Sequence, residues 1–234
     1  MDRDKKIQTE EYYVASIDLL GIKNVIKFDT DDSKLNSIRN IYKSWYRIFK
    51  DNYFEHLKIK FFSDNFVIAI KATIPSAVDR LLESIAWICS HLLKCGYKPR
   101  GGISKGKFYM DDIFVWGQGL VNAYIIESKK AIYPRIVIDK NVAEKATKNL
   151  TDTMIYQDSN DGKLCLNYLR AFGGNKDSCI KDIDLILGQL TSEVNNIQKL
   201  IDDGTDVEEN KKILHKLQWL FAFAKENKLL WENP

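Results

Sequence analysis

Two aspartates have the setting that metal-dependent phosphate chemistry requires. Asp18 closes a run of strand-forming residues and opens Asp18-Leu19-Leu20-Gly21-Ile22, and Asp64 falls at the tip of Lys60-Phe61-Phe62-Ser63-Asp64-Asn65. If their strands are neighbours, both carboxylates reach one end of a sheet. Carboxylates a few ångströms apart repel, and a divalent cation between them is the least costly remedy. Hard oxygen ligands beside a glycine-containing turn suit magnesium or manganese bound to a triphosphate, because such a turn can aim backbone N–H groups where a Cβ would intrude. Each aspartate also has an ordinary reading. An Asp after a strand caps the next helix, and Ser-Asp-Asn is common hairpin-turn chemistry.

The elements that must position these residues follow from apolar spacing. Residues 11–18 are rich in β-branched and aromatic types and read as a strand ended by Leu20-Gly21. Leu35, Ile38, Ile41, Tyr42, Trp45, Ile48 and Phe49 have helical spacing over 33–54, with Asp32 and Ser33 as caps. A hairpin follows, Leu57 to Phe62 and Phe66 to Ile70 around Ser63-Asp64-Asn65. A second helix opens at Pro75 and runs to Gly96. Arg100–Lys107 and Asp112–Trp116 read as two strands, 118–130 as a helix, and Arg135–Ile138 as a strand. This β-α-β-β-α-β-β-α-β order is the ferredoxin-like plan of an α+β fold, a mostly antiparallel sheet with helices on one face. Weaker strands at Thr153–Gln157 and Lys163–Asn167 extend it. After Gly173-Gly174 the sequence is helical, at 177–202 and 207–227, as a hairpin packed on the sheet or on a second subunit.

Composition removes several classes. With 234 residues, 45% hydrophobic and 12% aromatic, the chain has material for a buried core. Its formal charge of +3 is too balanced for a nucleic-acid footprint. Glu83 and Lys94 break the most apolar stretch, and Met1-Asp2-Arg3-Asp4-Lys5-Lys6 is no signal peptide, so a cytoplasmic protein is expected. Cys89, Cys95, Cys165 and Cys179 with His56, His91 and His215 form no zinc spacing and read as free thiols in a reducing compartment.

Four segments, in order over residues 12–138, resemble the class III nucleotide cyclases. Ile17-Asp18-Leu19-Leu20-Gly21-Ile22 is similar to their strand running into Asp-x-x-Gly-Phe. Lys58-Ile59-Lys60-Phe61-Phe62-Ser63-Asp64 resembles their Lys-Ile-Lys-x-x-Gly-Asp hairpin. Arg100-Gly101-Gly102-Ile103-Ser104-Lys105-Gly106 resembles Arg-x-Gly-Ile-x-x-Gly, and Trp116-Gly117 through Val121-Asn122 resembles the Trp/Tyr-Gly-x-x-Val-Asn helix entry. Asp-Leu-Leu-Gly-Ile, Phe-Ser-Asp, Arg-Gly-Gly-Ile, Ala123-Tyr124 with Glu127, and Ala131 through Tyr133-Pro134-Arg135-Ile136 look most like the bacterial pyrimidine cyclases of anti-phage signalling.

The resemblance implies a catalytic domain over 1–174 and a helical extension over 175–234. It implies that Asp18, the Leu19 carbonyl and Asp64 hold two divalent cations, Mn²⁺ or Mg²⁺, and that the Leu20-Gly21-Ile22 amides cradle phosphates. Lys60 aligns with a base-contacting lysine, and Asn122 with a catalytic asparagine. The implied reaction converts UTP to cyclic UMP in a homodimer with sites at its interface, with CTP as the alternative substrate. Phe114 stands where purine cyclases carry a polar base-reading residue, which favours a smaller base. Ile126 stands where most relatives carry an arginine, four residues after Asn122; Arg135, Lys129 and Lys130 are the candidate substitutes. That gap keeps open an inactive, nucleotide-sensing module. Arg100 reads as a carboxylate partner within the sheet. Tyr12, Tyr13, Tyr124 and Tyr133 read as packing residues that could stack on a base.

Overall fold

The computed structural model describes residues 7–22, 26–27, 29–50, 56–171 and 175–233. Among them, β1 (Glu10–Leu20) is followed by α1 (Ser33–Lys50), the hairpin β2 (Leu57–Phe62) and β3 (Asn65–Lys71), and α2 (Ala77–Lys94). Then come β4 (Lys98–Met110), β5 (Val115–Trp116), α3 (Gln118–Lys130) and β6 (Ile136–Ile138). Short helices α4 (Lys140–Ala143) and α5 (Lys148–Met154) lead to β7 (Ile155–Gln157) and β8 (Leu164–Leu166), and the long pair α6 (Lys176–Asp202) and α7 (Val207–Glu232) completes the chain. The sheet runs β2-β3-β1-β4-β6-β8-β7, with β5 paired to β4. All its pairings are antiparallel except β4–β6, which α3 bridges. The order β2-β3-β1-β4 is the ferredoxin-like plan.

Alternation along β1 divides the molecule. Tyr13, Ala15, Ile17 and Leu19 face a large core shared with Trp45 of α1, Leu81, Ile85 and Leu92 of α2, Ile183 of α6 and Leu220 of α7. Thus the C-terminal hairpin seats on the sheet of its own chain. Tyr12 and Val14 face the other way, onto Phe108, Met110 and Ala123 of α3.

Helices therefore cover both faces, not one. The reason lies in β4, whose Gly102 and Gly106 leave a trough for α3. A Cβ on Gly102 would stand 2.3 Å from Ala123 O, and one on Gly106 2.9 Å from Gly119 N. Gly117, at φ +139, admits the turn against Lys107 O that starts the helix. Other expectations shift in detail. The strand at 100–107 is the middle of a longer one, and only Val115–Trp116 of the strand expected at 112–116 pairs. The start of the expected strand 153–157 is helical, because α5 is too short to show a period. The carboxylate of Asp29, not Asp32 or Ser33, accepts the amides of Lys34 and Leu35 at the start of α1. The expected end of that helix, 51–55, the side chains of Ile48 and Phe49, and Gly173-Gly174 lie outside the described residues.

Candidate active site

β1 and β3 place the two aspartates. Asp18 lies opposite Asn65 on β3 and Arg100 on β4, and β1 continues past it to Leu20. Asp64 directly precedes Asn65, in a two-residue turn where Ser63 adopts φ 54. Leu19 lies opposite Pro99, which has no N–H to donate. That pair is therefore the non-hydrogen-bonded kind, and the Leu19 carbonyl turns toward the β3 side. The β1–β3 ladder ends at Asp18↔Asn65, so this carbonyl faces the hairpin turn rather than a strand. By the same alternation Asp18 and Asn65 are a close pair, with Cα atoms about 4.5 Å apart. The Asp64 Cα then lies within about 8 Å of that of Asp18. The backbone register thus brings Asp18 and Asp64, distant in sequence, to one sheet end beside the Leu19 carbonyl.

The electrostatics agree. The Tyr42 hydroxyl is buried without a hydrogen-bond partner, and its ionisation is pushed up by burial first, then by Asp64, Tyr97 and Asp18. Both aspartates thus lie within Coulombic reach of one buried oxygen. Asp18 is mostly buried and paired: Arg100 Nε and Nη2 approach its Oδ2 at 2.9 and 2.7 Å. The same Nη2 lies 3.0 Å from Oε1 of Glu127, whose side chain is 2% exposed. That oxygen has no hydrogen bond, so the contact is Coulombic rather than directed. Burial raises the Glu127 pKa, Arg100 opposes the rise, and Asp18 adds to it.

Beyond Asp18, Gly21 takes φ 83, the left-handed conformation glycine permits, with open space where a Cβ would stand. Leu20 is half-buried and Ile22 buried, so the phosphate-cradling role expected of this turn would fall to its backbone. Lys60, on the Asp18 side of the sheet, donates from Nζ to Asp111 O at 2.8 Å, and Lys58 likewise to Met110 O. The Asp111 carboxylate accepts the amides of Ile113 and Phe114 and the Tyr109 hydroxyl. Lys60 and Phe114 are therefore joined through Asp111 at the far end of β4, where Phe114 and Trp116 border an open groove of about 540 Å³.

The structure does not bring Asn122 to Asp18 within one chain. It accepts a bond from Gln118 on the half-exposed side of α3, five residues and about 140° around the helix from Glu127. Ile126 packs into a small core with Val137 and Cys165. Arg135 cannot replace the missing arginine, being fully buried and held by Asp158, Asp161 and the Lys130 carbonyl. Lys129 and Lys130 are exposed at the C-terminal end of α3. Tyr12 packs edge-on to Phe108 and Tyr133 stacks on Trp219, whereas Tyr124 is exposed.

Solved structures share the fold. The non-canonical dimeric guanylyl cyclase domain of the RhoGC fusion protein from the aquatic fungus Blastocladiella emersonii aligns with TM-score 0.52 at 13% identity, over 68% of this chain and 94% of that one. Adenylyl cyclase CyaB from P. aeruginosa aligns with TM-score 0.51 at 12% identity, over 69% and 94%. The fold is that of a class III nucleotide cyclase catalytic domain. No protein-family model and no curated protein sequence matches the chain. The contact that sequence reasoning passed over is that of Arg100 with Glu127, a residue noted there within Ala-Tyr-x-x-Glu. The available signal was an acidic residue beside Ile126 on a helix whose other inward positions are small or apolar. No helix among the described residues is long and apolar enough to cross a membrane.

Proposed function

We propose that the protein is a nucleotide cyclase that converts a pyrimidine nucleoside triphosphate, UTP in the first instance, to the 3′,5′-cyclic monophosphate and pyrophosphate. The observation that carries this reading is the convergence of Asp18, Asp64 and the Leu19 carbonyl on one sheet end. Among the described residues no three His, Cys, Asp or Glu side chains form a complete metal cage. Two carboxylates and a carbonyl nevertheless fit a magnesium- or manganese-type ion, which prefers hard oxygens and completes its shell with water and substrate phosphates. Bound there, such ions would supply charge neutralisation of the triphosphate and a lowered pKa for the ribose hydroxyl.

The ribose 3′-oxygen loses its proton to solvent and forms a bond to the α-phosphorus. The bond to the α–β bridging oxygen breaks, and pyrophosphate leaves with the electron pair. The backbone after Leu20 holds phosphate oxygens, so positioning and electrostatics provide most of the rate. Phe114 supports the pyrimidine reading, since an apolar side chain offers no partner to a purine amino group. The exposed apolar run Ile113, Phe114, Trp116, Val121, Tyr124 and Ile125 supports a homodimer that buries it. Asn122, half-exposed on α3 between Val121 and Tyr124 of that run, is available to a partner subunit. We place the activity in the cytoplasm, as second-messenger synthesis in anti-phage defence.

Purified protein with Mn²⁺ and each of the four nucleoside triphosphates, assayed for cyclic nucleotide and pyrophosphate, tests the reading. Product from UTP is expected. Product from CTP alone moves the assignment to a cytidylate cyclase, and product from ATP or GTP overturns the pyrimidine assignment. Tight nucleotide binding without pyrophosphate leaves a sensing module. Asp18→Asn and Asp64→Asn are each expected to lower turnover about 10³-fold or more with the melting temperature little changed. A near-normal rate in either variant makes that residue a turn aspartate only.

A further inference from the structure

Arginine and carboxylate usually meet fork to fork, two N–H groups on two oxygens. Arg100 and Asp18 do not. Nε and Nη2 both fall on Oδ2, at 2.9 and 2.7 Å, and no bond to Oδ1 is present among the described residues. A second carboxylate accounts for the offset. Glu127 descends from α3 to within 3.0 Å of the same Nη2, drawing the guanidinium away from Oδ1. Its reach depends on the glycine trough, because the Glu127 backbone nitrogen would lie 2.6 Å from a Cβ on Gly102. A carboxylate buried this deeply is costly without a cationic partner, and Arg100 is the cation it meets. One guanidinium therefore serves two carboxylates and saturates neither.

We propose that Glu127 is a positioning residue that holds the Arg100 guanidinium on one oxygen of Asp18 and so keeps the other oxygen open to a divalent cation. This rests on Asp18 being a cation ligand, as argued above. Glu127 touches neither cation nor substrate, and the role proposed for it runs through Arg100. Residues that orient a ligand in this way typically change metal affinity by about 10–100-fold when altered.

The test is Mn²⁺ binding to the full, nucleotide-free chain, read from the electron paramagnetic resonance signal of free Mn²⁺, with a thermal melt of each variant. Glu127→Gln keeps the shape, removes the pull and lets the guanidinium cover both oxygens of Asp18. It is expected to weaken Mn²⁺ binding about tenfold. The double variant Arg100→Gln with Glu127→Gln removes both the competitor and the buried charge, and is expected to restore binding at least to the wild-type level. Removing the Arg100 cation tightens cation binding whatever Glu127 does, so the double variant is compared with Arg100→Gln alone. Positioning through Arg100 predicts equal Mn²⁺ affinities, whereas a merely structural or directly electrostatic role predicts the same loss as in the wild-type background. Wild-type affinity in Glu127→Gln, or a double variant that binds about tenfold more weakly than Arg100→Gln alone, overturns the proposal. Asp18→Asn separates the two levels of the argument. If it binds Mn²⁺ as the wild type does, Asp18 is no ligand and the functional reading fails with this one. If it loses binding while Glu127→Gln does not, only the positioning role falls.

Discussion

Replacing Gly102 by alanine would place a methyl carbon 2.3 Å from Ala123 O, 2.6 Å from Glu127 N and 2.6 Å from Ile126 Cβ. The first contact is shorter than ordinary van der Waals distance by about 1 Å. The atoms it meets are mainly helix backbone, which has no rotamer to change. The helix is pinned elsewhere, by Ser104 Oγ donating to Gly119 O at 2.7 Å and by the close approach of Gly106 to Gly119. It must therefore lift as a unit, separating Ile126 from Val137 and Glu127 from Arg100. Overpacking of this kind costs about 3 kcal/mol. In a chain of this size that corresponds to a fall of about 6–12 °C in melting temperature. Gly188 is the control. It lies exposed within α6 with nothing within 4 Å of a built Cβ. Alanine there relieves the helical cost of glycine and should raise stability by about 0.5–1 kcal/mol. Calorimetry of both variants reads the contrast directly. A Gly102→Ala protein that melts within a degree of wild type would show that α3 is not seated on β4, and the Glu127–Arg100 geometry would go with it.

Two further outcomes are expected. Burial alone would raise the Asp161 pKa, but hydrogen bonds from Arg135 and Lys163 outweigh it and hold the carboxyl well below the usual range. A group depressed in the folded state contributes stability that is present above its unfolded pKa of about 4 and is lost as pH falls through the folded value. The urea midpoint should thus drop more steeply below pH ~4 in wild type than in Asp161→Asn, which is weaker already at neutral pH; parallel curves would refute this. Val121→Glu or Tyr124→Glu, on the exposed side of α3, should convert a dimer to monomer in sedimentation velocity without lowering the melting temperature of the isolated chain. A wild type that sediments as a monomer would refute the proposed homodimer, and a dimer unchanged by either variant would place its contact elsewhere.

The sequence by itself determined the element order through β6 and the ferredoxin-like plan, because apolar period and turn chemistry are local. Gly21 and the Ser63-Asp64 turn were legible for the same reason: each requires a backbone conformation that few residues adopt. Tertiary structure decided what depends on who faces whom. Arg135 stood in a segment that looked available for catalysis, yet Asp158 and Asp161 enclose it, and no local signal marks that pairing. Gly102 and Gly106 read as part of a strand motif, but their use is to admit α3 to the second face of the sheet. The arrangement of Asp18, Arg100 and Glu127 spans three elements and exists only once β1, β4 and α3 are stacked. Charges so far apart along the chain acquire partners through packing, not through spacing.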